Sequence, residues 1–336
     1  MRAAVVTEFS APLELREIPV PEPGAHQVLV RMEACGICRT DIHIAHGDWP
    51  IRPALPLIPG HEGVGIVERV GAGVAASQVG HRVALPWLCS ACGQCGFCLS
   101  GWKILCESQR NIGCTIDGGY AEYAVADARY AVPVPDGVPP LEAAPLTCAG
   151  VTSYKAVQAG RVGPGDCVAV FGVGGLGHLA IQYARQAGGF VTAVDVEAEK
   201  LDFARELGAE QVIDARTRDP AAVIRAQGGA DVALALASTS SAYEHALRSL
   251  RRGGRLVRVC LPAGGIPPAS TFDAVTRGIS VIGSVVGTHQ DLAEVFALHA
   301  AGRTAVTAEP RKLEEVNEAF AEVLANRARA RLVIEY

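Results

Sequence analysis

A chain of 336 residues exceeds what one hydrophobic core usually serves, so two domains are expected. The net charge of −5 is spread without blocks of one sign, and no basic helix or tail offers a surface for nucleic acid. The N-terminus, MRAAVVTEFSAPLELREIPV, lacks the basic start and long apolar stretch of a signal peptide, and no apolar run is long enough to span a bilayer. The expected location is the cytoplasm, with no membrane partner.

To about Gly150 the chain offers short apolar strands between Gly and Pro turns, among them HQVLVRMEAC, GVGIVERVG and GHRVALPW. The pattern becomes helical from Leu146 to Gly160. From Gly165 strand and helix alternate: DCVAVFG, GLGHLAIQYARQAG, FVTAVDV, AEKLDFARELG, QVIDA, DVALALA, AYEHALRSLRRGG, RLVRVC and ISVIGSVVG. Such alternation predicts a parallel, doubly wound sheet. After Val286 two helical stretches, DLAEVFALHAAG and KLEEVNEAFAEVLAN, precede a final strand, RLVIEY.

Three stretches carry groups suited to chemistry before the alternating region begins. Cys35-Gly36-Ile37-Cys38-Arg39-Thr40-Asp41-Ile42-His43 brings thiols, a cation, a hydroxyl and an imidazole close in sequence. Pro59-Gly60-His61-Glu62-Gly63 sets an imidazole beside a carboxylate, and Cys148 lies where the two halves meet. Spacing alone does not assemble these, and Cys35-x2-Cys38 by itself is compatible with a redox pair.

The segment from about 89 to 106 crowds five of the eleven cysteines together, which in a chain without an export signal reads as a metal site. Cys92, Cys95, Cys98 and Cys106 supply four thiolates, a closed soft set suited to structural zinc. Cys89 adds another CxxC spacing, so Cys89, Cys92, Cys95 and Cys98 form a competing set.

Further on, Gly172-Val-Gly174-Gly175-Leu176-Gly177 follows the strand CVAVF and opens an apolar helix. Gly172 permits the tight turn, Gly174 lets backbone approach a pyrophosphate, and Gly177 allows close packing. Asp195 ends the next strand, where its carboxylate can accept both ribose hydroxyls and repel a 2′-phosphate. No Arg follows it directly, so NAD is expected rather than NADP.

Taken together, GICRTDIH, PGHEGVG, the four-cysteine lobe, DGGYAEY, LTCAGVTSY, GVGGLGHLAIQYA and SVVGTHQDL resemble the zinc-dependent medium-chain alcohol dehydrogenases. They run in that family's order over nearly the whole chain, with the strongest likeness to tetrameric bacterial and yeast-type enzymes acting on ethanol and propanol. The resemblance implies an α/β protein: a GroES-like, β-rich catalytic domain over 1–150 and 287–336, and a Rossmann NAD-binding domain over 151–286. It implies two zinc ions per chain. Cys38, His61 and Cys148 would ligate the catalytic one, with Glu62 behind it as an alternate ligand and Cys35 only a neighbour. Cys92, Cys95, Cys98 and Cys106 would hold the structural ion.

The resemblance also implies that Thr40 hydrogen-bonds the substrate oxygen and His43 passes the proton to solvent. Arg39 and Arg331 would contact phosphate, Lys200 would join Asp195, Leu176 and the four glycines in binding cofactor, and Trp49 and Trp87 would narrow the pocket. The implied reaction moves hydride between a small primary or secondary alcohol and NAD, giving aldehyde or ketone. A homotetramer is implied, a dimer being the other arrangement. The chain departs from the usual family residues at Cys89, Cys260, His289 and Ala330. A polyol or amino-alcohol dehydrogenase is the nearest alternative, but many of those replace the third zinc ligand with a carboxylate, and Cys148 argues against them. A zinc-free quinone reductase would lack both the lobe and the Cys38–His61 pair. A non-catalytic NAD- and zinc-binding regulator has no use for an open metal site.

Overall fold

The protein is represented by a computed structural model that describes residues 1–50, 52–261 and 270–336. The chain divides into two compact units, Met1–Val151 with Gly287–Tyr336, and Thr152–Val286.

In the first unit the strand Gln27–Ile37 is the organising element. Its apolar residues are buried on both faces, so it must lie inside a sheet with a core on each side. It pairs antiparallel with Glu62–Val70, Tyr123–Asp127 and Arg331–Glu335 within a seven-stranded sheet. Val28, Val30 and Met32 enter one core with Val67, Val83 and Leu85. Cys35 and Ile37 enter the other with Ile42, Tyr120, Phe320, Leu332 and Ile334. The two-residue period of the strand makes this division.

Helix Arg39–His46 starts directly from that strand. Cys38 is its extended N-cap, and Asp41 in the first turn closes a reciprocal cap. Gly47, with φ 69°, ends the helix in the left-handed conformation. Further along, Leu146–Gly150 forms a π turn after helix Pro140–Pro145, where sequence periodicity alone predicts a plain helix. Pro145 has no N–H to offer, and the Thr147 hydroxyl donates to the Ala144 carbonyl at 2.7 Å.

The second unit carries a parallel six-stranded sheet in the order Gln211–Asp214, Phe190–Asp195, Cys167–Phe171, Ala230–Ala235, Leu250–Arg258, Ser280–Gly283. This 3-2-1-4-5-6 order is that of a Rossmann sheet. The helical pattern predicted to continue to Gly254 stops at Ser249, because buried Leu250 already pairs with Ala230 in the sheet. No helix among the described residues is long and apolar enough to cross a membrane.

The glycine-rich turn shows why Gly177 tolerates no side chain. Its Cβ would lie 1.9 Å from the Gly172 carbonyl oxygen, a backbone atom that cannot swing aside. Gly177→Ala should therefore push the turn away from the helix and destabilise this unit by about 1–3 kcal/mol, the usual range for overpacking. Guanidinium unfolding of the variant checks this, and an unchanged midpoint would contradict the packing argument.

Candidate active site and metal centres

Three separated stretches of the first unit converge on one buried cluster. Cys38 comes from the cap of the helix, His61 from the loop leading into strand Glu62–Val70, Glu62 from the first position of that strand, and Cys148 from the π turn. One ligand-type atom from each lies within 4.8 Å of all the others, and all four residues are buried. Gly36 stands opposite Glu62 in the sheet, and a Cβ there would fall 1.9 Å from the Glu62 Oε2 atom. A glycine at that register position is what makes room for the carboxylate.

Asp41, which spacing rules did not single out, orients the cluster. It is 0% exposed, yet its carboxylate accepts four hydrogen bonds. Oδ1 accepts from His61 Nδ1 at 2.7 Å and the Gly60 amide at 3.2 Å. Oδ2 accepts from the Tyr120 hydroxyl at 2.9 Å and the Cys38 amide at 3.0 Å. Because a carboxylate only accepts, His61 must carry a proton on Nδ1, and it is Nε2 that faces Cys148 Sγ at 3.2 Å. The sequence signal for Asp41 was its place three residues after Cys38, the capping-box spacing.

The electrostatics suit a cation. The hydrogen bond from Cys148 holds the Cys38 thiol well below its usual range, against burial, while the same bond and burial push Cys148 well above. Burial, the largest single influence, pulls His61 down, but the charge and hydrogen bond of Asp41 together with the Cys38 contact outweigh it, and the imidazole is held well above its ordinary value. Glu62 is raised to about 7 by burial, opposed by the guanidinium of Arg331. Arg331 ion-pairs with Glu62 Oε1, whereas Glu62 Oε2 has no partner among the described residues. Two thiols, an imidazole and a carboxylate with an orphaned oxygen, sealed from water, form a donor set that fits a divalent metal.

Nearby, Thr40 and His43 sit on the helix capped by Cys38. The His43 ring stacks on Trp49 at 5.7 Å, and Trp87 meets His61 edge-on at 5.3 Å. Both indoles pack against buried Ile44, Leu57 and Cys114; Leu57 and Cys114 were not singled out in the sequence. Arg39 donates to the Val323 carbonyl at 2.9 Å and Asn326 Oδ1 at 3.0 Å.

The second metal-type cluster is Cys92, Cys95, Cys98 and Cys106, again with sulfurs within 4.8 Å of one another. The pairing of Leu88–Ser90 with Arg110–Asn111 closes the neck of this lobe. The Cys92 and Cys95 amides donate to Cys106 Sγ and Cys92 Sγ, each at 3.4 Å. Backbone N–H groups of Gln94 and Cys95 lower Cys92 to about 6, which favours its thiolate form. Cys89 is not in the cluster; it is buried with Val28, Met32 and Leu85.

In the second unit Gly172 has φ 99°, and a Cβ on Gly174 would meet only open space. Leu176 caps the helix Gly177–Gln186, and its carbonyl accepts from the Ser153 hydroxyl at 2.8 Å. Asp195 closes the turn: Oδ2 accepts from the Val173 amide at 2.7 Å, and Oδ1 from the Val196 amide at 2.7 Å. Gly175 lies inside this turn, and Lys200 lies half-buried on the helix Ala198–Glu206 that follows Asp195.

Replacing Asp41 by Asn keeps its volume but turns one acceptor into a donor facing donors. Asp41→Asn should weaken zinc binding at the Cys38–His61–Cys148 cluster by about 10–100-fold while sparing the lobe, the usual effect of losing an outer partner of a metal-binding imidazole. Chelator competition measures it, and unchanged affinity would contradict the assigned role.

Comparison with known proteins bears on the whole chain. Residues 24–136 match the alcohol dehydrogenase GroES-like domain and residues 175–301 the zinc-binding dehydrogenase domain. An alcohol dehydrogenase of Geobacillus stearothermophilus is 48% identical over 100% of this chain and 99% of its own length. One from Moraxella is 46% identical, with the same coverage of both chains. The crystal structure of the alcohol dehydrogenase from Aeropyrum pernix superimposes with a TM-score of 0.93 at 34% identity, covering 100% of both chains. An acetophenone reductase from Geotrichum candidum, solved in complex with NAD, gives 0.91 at 32% identity, covering 100% of this chain and 97% of its own. With both domain models matched and near-half identity end to end, the chain belongs to the zinc-type medium-chain alcohol dehydrogenases.

Proposed function

We propose that this enzyme interconverts small primary or secondary alcohols with aldehydes or ketones, with NAD as the hydride carrier and two zinc ions per chain. The observation that carries the reading is the buried set Cys38, His61 and Cys148. Three such donors leave a tetrahedral ion one position for substrate, whereas the four thiols of the lobe leave none. Glu62, paired with Arg331, stands by as an alternate ligand.

When bound, zinc supplies the Lewis acidity that makes the alcohol a readier proton donor, and NAD supplies the hydride acceptor. Thr40 takes the hydroxyl proton at its Oγ1 and hands its own onward, and His43 delivers it to solvent. Trp49 and Trp87 restrict the substrate to small alkyl groups. Asp195 orients the ribose and disfavours a 2′-phosphate, the glycine turn with Leu176 receives the pyrophosphate, and Lys200 adds a cofactor contact. Arg39 and Arg331 serve the phosphates; Arg331 Nε, buried and without a partner among the described residues, is a donor in reserve.

Two features support an oligomer. The edge strand Ser280–Gly283 pairs on one side only among the described strands, and Phe272 and Val275 nearby in sequence are 75% and 76% exposed. Apolar side chains left this bare on a folded unit are suited to a second copy, and the tetramer is our preferred state. The thiols gathered in the two metal-type clusters support a reducing compartment, the cytoplasm.

The test is NADH formation from ethanol and propanol, with Thr40→Val and Thr40→Ser as variants. Thr40→Val should lower turnover on the order of 10²–10⁴, the range for general acid–base help, while Thr40→Ser keeps most of it. No NADH from any small alcohol, or near wild-type turnover in Thr40→Val with both zinc ions bound, would contradict the proposal.

A further inference from the structure

We propose that Asp48 is a positioning residue that fixes the tautomer of His43; the inference rests on the reading of His43 as the outer end of the proton relay. The local fold builds the contact. Gly47 turns the chain out of the helix at φ 69°, and the amides of Gly47 and Asp48 fold back onto the carbonyls of Ile44 at 3.2 Å and His43 at 3.0 Å. This αL ending returns the next side chain to the last helical turn. Asp48 Oδ2 thereby reaches His43 Nδ1 at 2.7 Å. Trp49, the next residue, lies against the same imidazole with ring planes 28° apart. The ring is held by a carboxylate at Nδ1 and an indole stacked against it.

A carboxylate can only accept, so the Nδ1 of neutral His43 carries the hydrogen and Nε2 is bare. An unconstrained imidazole in water favours the opposite arrangement, with hydrogen on Nε2, and that form has no lone pair at the nitrogen farther from Asp48. The relay needs a bare nitrogen there. The ring takes the arriving proton on Nε2, becomes a cation protonated at both nitrogens, and returns one proton to water; no other bond or electron changes place. Asp48 thus does at the solvent end what Asp41 does for His61, through the same Nδ1 contact. The His43 and Asp48 side chains are 13% and 32% exposed, so water competes for the contact and the effect is smaller than in a sealed site.

The experiment is a double-mutant cycle of Asp48→Ala and His43→Gln, read as kcat and KM for a small primary alcohol, with zinc content and Tm recorded for each protein. His43→Gln should lower kcat about 10-fold, Asp48→Ala about 3–5-fold with KM within about twofold, and Asp48→Ala in the His43→Gln background should change kcat by less than about 1.5-fold. Independently of activity, 15N-histidine solid-state NMR should find His43 protonated on Nδ1 in the wild type and on Nε2 in Asp48→Ala. A silent His43→Gln would remove the relay reading and this inference with it. A costly His43→Gln beside a silent Asp48→Ala, an equal loss from Asp48→Ala in both backgrounds, or an unchanged His43 tautomer would overturn the role of Asp48 alone.

Discussion

The catalytic unit depends on one buried carboxylate. Asp41 accepts from the Cys38 amide, the Gly60 amide, the His61 ring and the Tyr120 hydroxyl. Those donors belong to the helix cap, the loop that bears His61, and the segment that enters strand Tyr123–Asp127. A charge with no access to water is tolerable only when its lone pairs are met, and here each oxygen receives two donors. The same contacts that stabilise Asp41 hold two candidate ligands, Cys38 and His61, in register. Gly60, with φ 98° and a Cβ position 2.4 Å from the Tyr120 ring, shows how tightly the loop is drawn in.

A second balance surrounds the first. Arg331 and Glu62 are both buried and ion-paired, so their charges compensate inside the protein. Two thiols and an imidazole, once they give up their protons to a metal, are then the natural complement of a doubly charged ion. Arg331 was expected from sequence as a phosphate contact. Its partner within the first unit is Glu62, and a cofactor role would draw on the remaining Nε donor.

Much of the architecture was legible because it is written in local patterns. The glycine turn followed a strand and opened a helix, with Asp195 one strand later, so its geometry could be read from spacing. The thiol lobe was equally local, but its registry was less so: the set with Cys106 was the expected one, and the set with Cys89 stayed a formal competitor until the strand Leu88–Ser90 turned Cys89 into the apolar core. The union of Cys38, His61 and Cys148 was invisible to spacing, because sheet pairing and a π turn create it. Asp41, Asp48 and Tyr120 escaped notice for a related reason. Each looks like an ordinary cap, turn or core residue until its partner from elsewhere in the fold is known, and family likeness names ligands more readily than the groups that orient them.

The account stands or falls on two metal centres of different chemistry in one chain. Zinc analysis with zinc-edge X-ray absorption, on wild type, Cys106→Ala and Cys89→Ala, examines this directly. Wild type and Cys89→Ala should each hold two ions, one among the four sulfurs of the lobe and one between the sulfurs of Cys38 and Cys148 and the His61 ring. Cys106→Ala should retain only the latter and lose thermal stability. A single zinc in the wild type, or a lobe ion that survives Cys106→Ala but not Cys89→Ala, would contradict it.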